Sequence, residues 1–205
     1  MAAADRFLPD ADLAVTELVL VAADPDAAFA AIDAADVSGD RLLGVLGGLT
    51  DLDKRLAGSA VRPKRLGELL GPELGFVGLA DEPGKLRAVG LAARYSPFDR
   101  AVRRLEPDAF ASFDEPGYVG AVVGFSLHGQ DDGQTLLACD ARVRATDEDT
   151  RSTLQAASFL VAPAARLLCH RLIELVKQQA ESRADGGQRG DGDGDQDDAR
   201  RLPAG

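Results

Sequence analysis

Between Phe113 and Glu181 the chain alternates apolar and polar residues through two consecutive stretches, turns once between them, and then changes to helical spacing. In Tyr118 to His128, the residues Val119, Ala121, Val123, Phe125 and Leu127 share one side, opposite Gly120, Gly124, Ser126 and His128. In Gln134 to Ala145, Leu137, Cys139, Ala141 and Val143 oppose Asp140, Arg142 and Arg144. Successive side chains of a strand point to opposite faces, so this pattern predicts two strands with an apolar inner face and a charged, solvated outer one. Gln130 to Gly133 supplies the turn between them. Asp147 or Thr150 is a suitable cap for a following helix that runs to about Leu160. Pro163 is expected to break or restart it, because proline removes an interior hydrogen bond. The final helix then extends to about Arg183, with Leu167, Leu168, Leu172, Leu175 and Val176 at helical spacing. A sheet that hands over to a long C-terminal helix makes an α+β fold.

The N-terminal half is consistent with that frame. Residues 14–22 are rich in β-branched side chains and read as a strand. Asp24-Pro25 is a cap followed by proline at the first helical position, which predicts a helix over 25–34 with Ala28, Phe29 and Ile32 on one face. A second helical segment, Arg41 to Leu56, is loosened by Gly44, Gly47 and Gly48, each worth about 1 kcal/mol against a helix interior. Residues 58–71 read as loop. Phe76 to Ala80 and Leu86 to Tyr95 form a hairpin around Asp81-Glu82-Pro83-Gly84, and Asp108 to Phe113 is a short strand candidate. The expected organisation is a flexible N-terminus over 1–12, one domain over 13–183, and an acidic Gly/Asp-rich tail over 184–205 without apolar runs, which is expected to be disordered.

Composition narrows the role. A net charge of −11 repels phosphate backbones and anionic headgroups, so nucleic acid and a polybasic membrane contact are disfavoured. No apolar run approaches the roughly 18 residues that span a bilayer, and residues 1–12 lack the apolar core of a signal peptide, so no stable membrane insertion and a cytoplasmic location are expected. The interior is aliphatic, with 5% aromatics and no Trp. Cys139 and Cys169 each fall in an apolar run and read as buried thiols.

Motifs that would announce chemistry fail on inspection. Asp191, Asp193 and Asp195 alternate like a calcium loop, but Gln196 occupies the glycine position and Leu202 the bidentate glutamate position. His128 and His170 are the only histidines and no ligand cluster accompanies either, so no metal and no cofactor are expected. There is no nucleophile elbow or dinucleotide fingerprint. Glu17 shares a strand face with Val15, Val19 and Val21. It is either a buried carboxyl with a raised pKa, or an outward or Arg-paired one.

The order strand, two helices, antiparallel strands and long C-terminal helix resembles the START-like helix-grip superfamily (SRPBCC) of polyketide cyclases, lipid-transfer domains and related ligand-binding proteins. The resemblance covers about Leu13 to Arg183. Phe76 to Gly84 with Gly90 and Arg94-Tyr95-Ser96-Pro97, then Phe110 to Tyr118, Asp140 to Asp147, and Ile173 to Glu181 look like segments of an uncharacterised bacterial branch. Tyr95, Cys139, Ala141 and Ala157-Ser158-Phe159 depart from it toward less polarity or bulk.

The resemblance implies a helix-grip fold, with a curved sheet around the C-terminal helix, enclosing a pocket for a hydrophobic small molecule. Phe125, Leu137, Cys139 and Ala141 would be walls from the sheet and Leu168 and Leu172 from the helix, with Tyr95 as an orienting polar group. The glycine-loosened segment Leu43 to Leu49 would be a lid. Binding or transport of such a molecule is the expected role. A cyclase, dehydratase or hydrolase in the same pocket is the alternative, using Glu17, Tyr95 or His128 as acid or base. A regulatory interaction module with a collapsed cavity is the third reading.

Overall fold

Among the described residues, six antiparallel strands make one sheet: β1 (Leu13–Val21), β2 (Val77–Glu82), β3 (Leu86–Arg94), β4 (Val102–Arg103), β5 (Tyr118–Gly129) and β6 (Thr135–Ala145). The computed structural model describes residues 3–41, 43, 63–96 and 101–189. The strand order is β1-β6-β5-β3-β2, with β4 paired to the end of β3. The later strands follow one another as a meander, and β1 returns to pair with the last of them. Leu13 faces Val143 and Val21 faces Thr135 across that junction.

A helix of 42 residues, Glu148–Arg189, lies against β1, β6 and the first helix (Pro25–Ala34). This is a helix-grip arrangement, α+β in class. The core between helix and sheet joins Val15 and Val21 of β1, Phe125 and Leu127 of β5, Leu137, Cys139 and Ala141 of β6, and Cys169, Leu172, Ile173 and Val176 of the helix. Ala28, Ala31 and Ile32 of the first helix complete it. Asp24 caps that helix by accepting the Ala27 N–H at 2.9 Å, with Pro25 at the first position.

Several local expectations change. Pro163 lies inside the C-terminal helix and does not end it. The carbonyl that loses its donor is that of Phe159, a residue 72% exposed, so the interruption falls on a solvent-facing part of the helix. The helix continues past Arg183 to Arg189, and residues 190–205 lie outside the described ones. The strand expected at 108–113 is instead a one-turn helix, Pro107–Phe110, started by proline at its first position. Within the expected loop 58–71, Leu66–Leu69 forms a helical turn. Of the second helical segment, only Arg41 and the buried Leu43 are described, and the remainder of the expected lid lies outside the described residues.

The largest difference concerns the outer face of the sheet. A 3-10 turn at Ala3–Arg6 begins a segment that lies on it, and Ala4, Leu8, Phe110 and Val122 form a second apolar cluster there. The expectation of a flexible segment through residue 12 does not match this packing. Asp140, expected to face solvent, is 2% exposed; it accepts the Ala4 N–H and the Thr16 hydroxyl, each at 3.1 Å. Arg142 pairs with Asp5 at 2.9 Å and Asp140 at 3.4 Å. Phe110 packs so closely on β3 that a Cβ at Gly90 would come within 2.7 Å of its ring.

Candidate functional site

A cavity of about 90 Å³ lies between the C-terminal helix and the β3–β5 part of the sheet. Leu168 and Leu172 form its helix wall, Leu91 of β3 and Val123 of β5 its sheet wall, and Leu69, Leu70, Leu74 and Phe76 a third wall from the segment that precedes β2. Among the described residues, every lining side chain is aliphatic or aromatic. These described walls offer ordered water no hydrogen-bond partner.

The third wall depends on a sharp local turn. Pro72–Leu74 is a 3-10 turn closed by Gly75 at φ 89°, a left-handed conformation that a side chain would strain. A Cβ at Gly75 would also meet Val102 Cγ1. This reversal sends Leu74 and Phe76 into the same cavity from either side of the glycine. Leu66 and Leu69 of the preceding turn are buried, which anchors the segment to the core.

The structure distributes the sequence-derived wall residues over two places. Leu168 and Leu172 line the cavity. Phe125, Leu137, Cys139 and Ala141 are buried in the main core beside it, nearer β1 and β6. Ala141 is the cross-strand partner of Val123, so it stands one strand away from the cavity wall. Tyr95 follows β3, partly buried, and its backbone N–H donates to the Gly117 carbonyl at 3.0 Å; it is not among the lining residues.

Sequence reasoning missed Leu69, Leu70, Leu74, Phe76 and Leu91 as wall residues. Leu66, Leu69 and Leu70 stand at i, i+3 and i+4, and that helical spacing was the available signal. Val123 was on the inward face already recognised from alternation.

The candidate acids and bases lie elsewhere. Glu17 faces the helix from β1 and its carboxylate pairs with Arg166 Nε at 3.2 Å. His128 is exposed at the far end of β5. Neither of these, nor Tyr95, lines the cavity. Among the described residues, no group of three or more His, Cys, Asp or Glu side chains could hold a metal ion, and no helix is long and apolar enough to cross a membrane.

No protein-family model and no curated protein matches the chain. Among solved structures, it is similar to a structural-genomics protein from Mesorhizobium loti, at 14% identity and a TM-score of 0.40, over 83% of this chain and 98% of that one. A protein from Thermus thermophilus matches at 11% identity and a TM-score of 0.35, over 84% and 99%. The Zhui aromatase/cyclase from a Streptomyces species matches at 15% identity and a TM-score of 0.31, over 84% and 95%.

Proposed function

We propose that this protein binds a hydrophobic small molecule whose apolar end enters the cavity between the C-terminal helix and β3–β5. The observation that carries the reading is a space whose described wall residues are all apolar. Protein interiors otherwise pack to the density of organic crystals, and an empty apolar space forfeits dispersion contacts that a ligand would restore. At about 90 Å³ the space is smaller than the roughly 300–1,000 Å³ of pockets that enclose a whole ligand. It suits a short alkyl branch or the end of a chain. The described lining residues offer shape and apolarity and no proton donor, which favours carriage or sensing.

Native mass spectrometry of the protein purified from its own host tests this directly. A small molecule that co-purifies, and is lost in Val123→Phe, supports the proposal. Val123→Phe should place its ring in the cavity with under about 1.5 kcal/mol of destabilisation. If nothing co-purifies, and short-chain alkyl probes leave the Leu168 and Leu172 methyl resonances unmoved, the binding reading fails. Turnover of a co-purified molecule by the full chain would instead favour the cyclase, dehydratase or hydrolase alternative.

A further inference from the structure

Among the described residues, β1 ends the sheet: β6 pairs with one side of it and no strand pairs with the other. Backbone groups along a strand point alternately to its two sides, and their parity can be followed across the sheet. The Leu127 N–H donates to the Lys85 carbonyl, so odd residues of β5 bond toward β3, even ones toward β6, and odd residues of β1 bond to β6. The N–H and C=O groups of Ala14, Thr16, Leu18 and Leu20 therefore point off the edge. Lys177 donates to the Leu20 carbonyl at 2.8 Å, and Glu181 accepts the Ala22 N–H at 2.9 Å. The backbone groups of Ala14, Thr16 and Leu18 on that side have no partner among the described residues. Features that normally blunt such an edge are scarce. β1 has nine residues in unbroken register with β6, no proline, and one charge, Glu17, which Arg166 of the C-terminal helix pairs. Leu18 projects from its outer face 61% exposed, with Leu20 exposed beside it. On the helix side the exposed Phe159 stands two turns before Arg166, on the helix face that meets β1.

We propose that this edge pairs with the same edge of a second copy of the chain, antiparallel about a twofold axis at Leu18, so that one continuous sheet crosses a dimer. The off-edge groups set the register. Leu18 exchanges both hydrogen bonds with the partner's Leu18, and Thr16 with the partner's Leu20. The Leu20 carbonyl has two lone pairs, so Lys177 keeps its place. On the outer face Leu18 covers the partner's Leu18. On the inner face Glu17 stands opposite the partner's Val19, whereas a twofold at Glu17 would set two carboxylates against each other. Charge favours the same choice. Arg166 is 70% exposed beside Glu17 and is placed to meet the partner's Glu17, which lies on the diagonal; Lys177 pairs with Glu181. These four charges cancel at the edge, although the chain as a whole carries −11. One strand with one helix flank buries less than the roughly 1,600 Å² of a standard interface, so the dimer is weak and depends on concentration. Leu168 lies on the opposite side of the helix from Arg166, so the pairing leaves the cavity uncovered.

Sedimentation of the full chain over a concentration series, with hydrogen exchange read amide by amide, tests the pairing. A monomer–dimer equilibrium in the micromolar range is expected. On dilution the amides of Thr16, Leu18 and Leu20 should lose protection by about tenfold or more, while those of Val15, Glu17 and Val19, bonded to β6, hold theirs. Leu18→Lys sets like charges together at the twofold and should weaken dimerisation by about tenfold or more. Leu160→Lys, on the solvent face of the helix, should leave it intact. Both positions are exposed, and the exchange pattern of the unmutated chain decides the matter even if a variant misfolds. A chain that stays monomeric throughout the series would overturn the proposal. So would a dimer that Leu160→Lys breaks and Leu18→Lys does not, or one whose Thr16 and Leu18 amides exchange freely. Protection of those amides in the monomer would give the edge to another occupant and overturn it as well. None of these readouts depends on a ligand.

Discussion

Both faces of the sheet carry buried residues, covered by different means, and the outer cover stops short of β1, where Leu18 and Leu20 stay exposed. On the inner face, Phe125, Leu137, Val21 and Val15 meet a single long helix through aliphatic contacts. On the outer face, the cover is a short N-terminal segment and a one-turn helix, held by a small apolar cluster and by a carboxylate–guanidinium network. Apolar burial is non-directional, so the inner face tolerates an imperfect fit and retains a cavity. The outer face depends on directed bonds to Asp140, and these must be complete because an unpaired buried charge is expensive. The capacity to bind is therefore proposed for the face with spare volume, and the capacity to position the chain's beginning belongs to the face with polar contacts.

The sharpest way to break the inner face is Phe125→Ala. The side chain is fully buried, and its loss should cost about 3–5 kcal/mol in urea unfolding, with the amides of Ala4 to Leu8 exchanging as before below the global transition. Asp140→Ala should break the outer face instead. It should cost roughly 2–3 kcal/mol, below the full penalty for splitting a buried pair because Arg142 keeps Asp5. Its signature is local: hydrogen exchange of Ala4 to Leu8 should accelerate far more than that of the C-terminal helix. Equal acceleration everywhere would show that the two faces unfold as one unit.

Ala141→Phe sharpens the contrast within the inner face. Ala141 sits in the packed core one strand from the cavity, so the added ring should overpack it and cost about 1–3 kcal/mol. Val123→Phe, aimed into the space itself, should cost less, and a reversal of that order would relocate the unfilled volume.

Asp147 joins the two faces. Its carboxylate accepts the Gly117 N–H ahead of β5, and the Thr150 N–H and hydroxyl at the start of the helix. These hydrogen bonds, led by that from Gly117, hold its pKa down to about 2. A depressed folded-state pKa contributes stability above the unfolded value near 4, and that contribution is lost as pH falls toward 2. Asp147→Asn should therefore melt lower than the parent at neutral pH, with the gap closing between pH 4 and 2. The smallest effect belongs to Arg166→Ala. Its guanidinium is largely exposed where it meets Glu17, and such pairs contribute between zero and about 1 kcal/mol. A larger loss would show that Glu17 is held in a drier setting than its contacts indicate.

Much of the inner face was legible in the residues themselves. Period-two alternation in β5 and β6 assigned Phe125, Leu137, Cys139 and Ala141 to the interior, and Asp24-Pro25 located one helix start; for the last helix the residues offered Asp147 or Thr150 as cap, and the structure uses Asp147. The same alternation misled on the outer face. It marked Asp140 and Arg142 as polar, correctly, and their solvation was inferred from polarity alone. What covers them comes from residues 136 positions away in the chain, and no local period encodes that distance.

The sequence by itself determined which residues alternate, where helices begin and which side of each strand is apolar, because these follow from backbone geometry within a few residues. Only the tertiary structure decided the rest: which elements leave a space between them, that Leu70, Leu74 and Phe76 reach it, that Pro163 is tolerated inside the helix, and that Cys139 and Cys169, distant in sequence, join one core. Those outcomes depend on how long-range partners share volume and satisfy one another's polar groups, which is settled when the helix closes on the sheet and the N-terminal segment on its back.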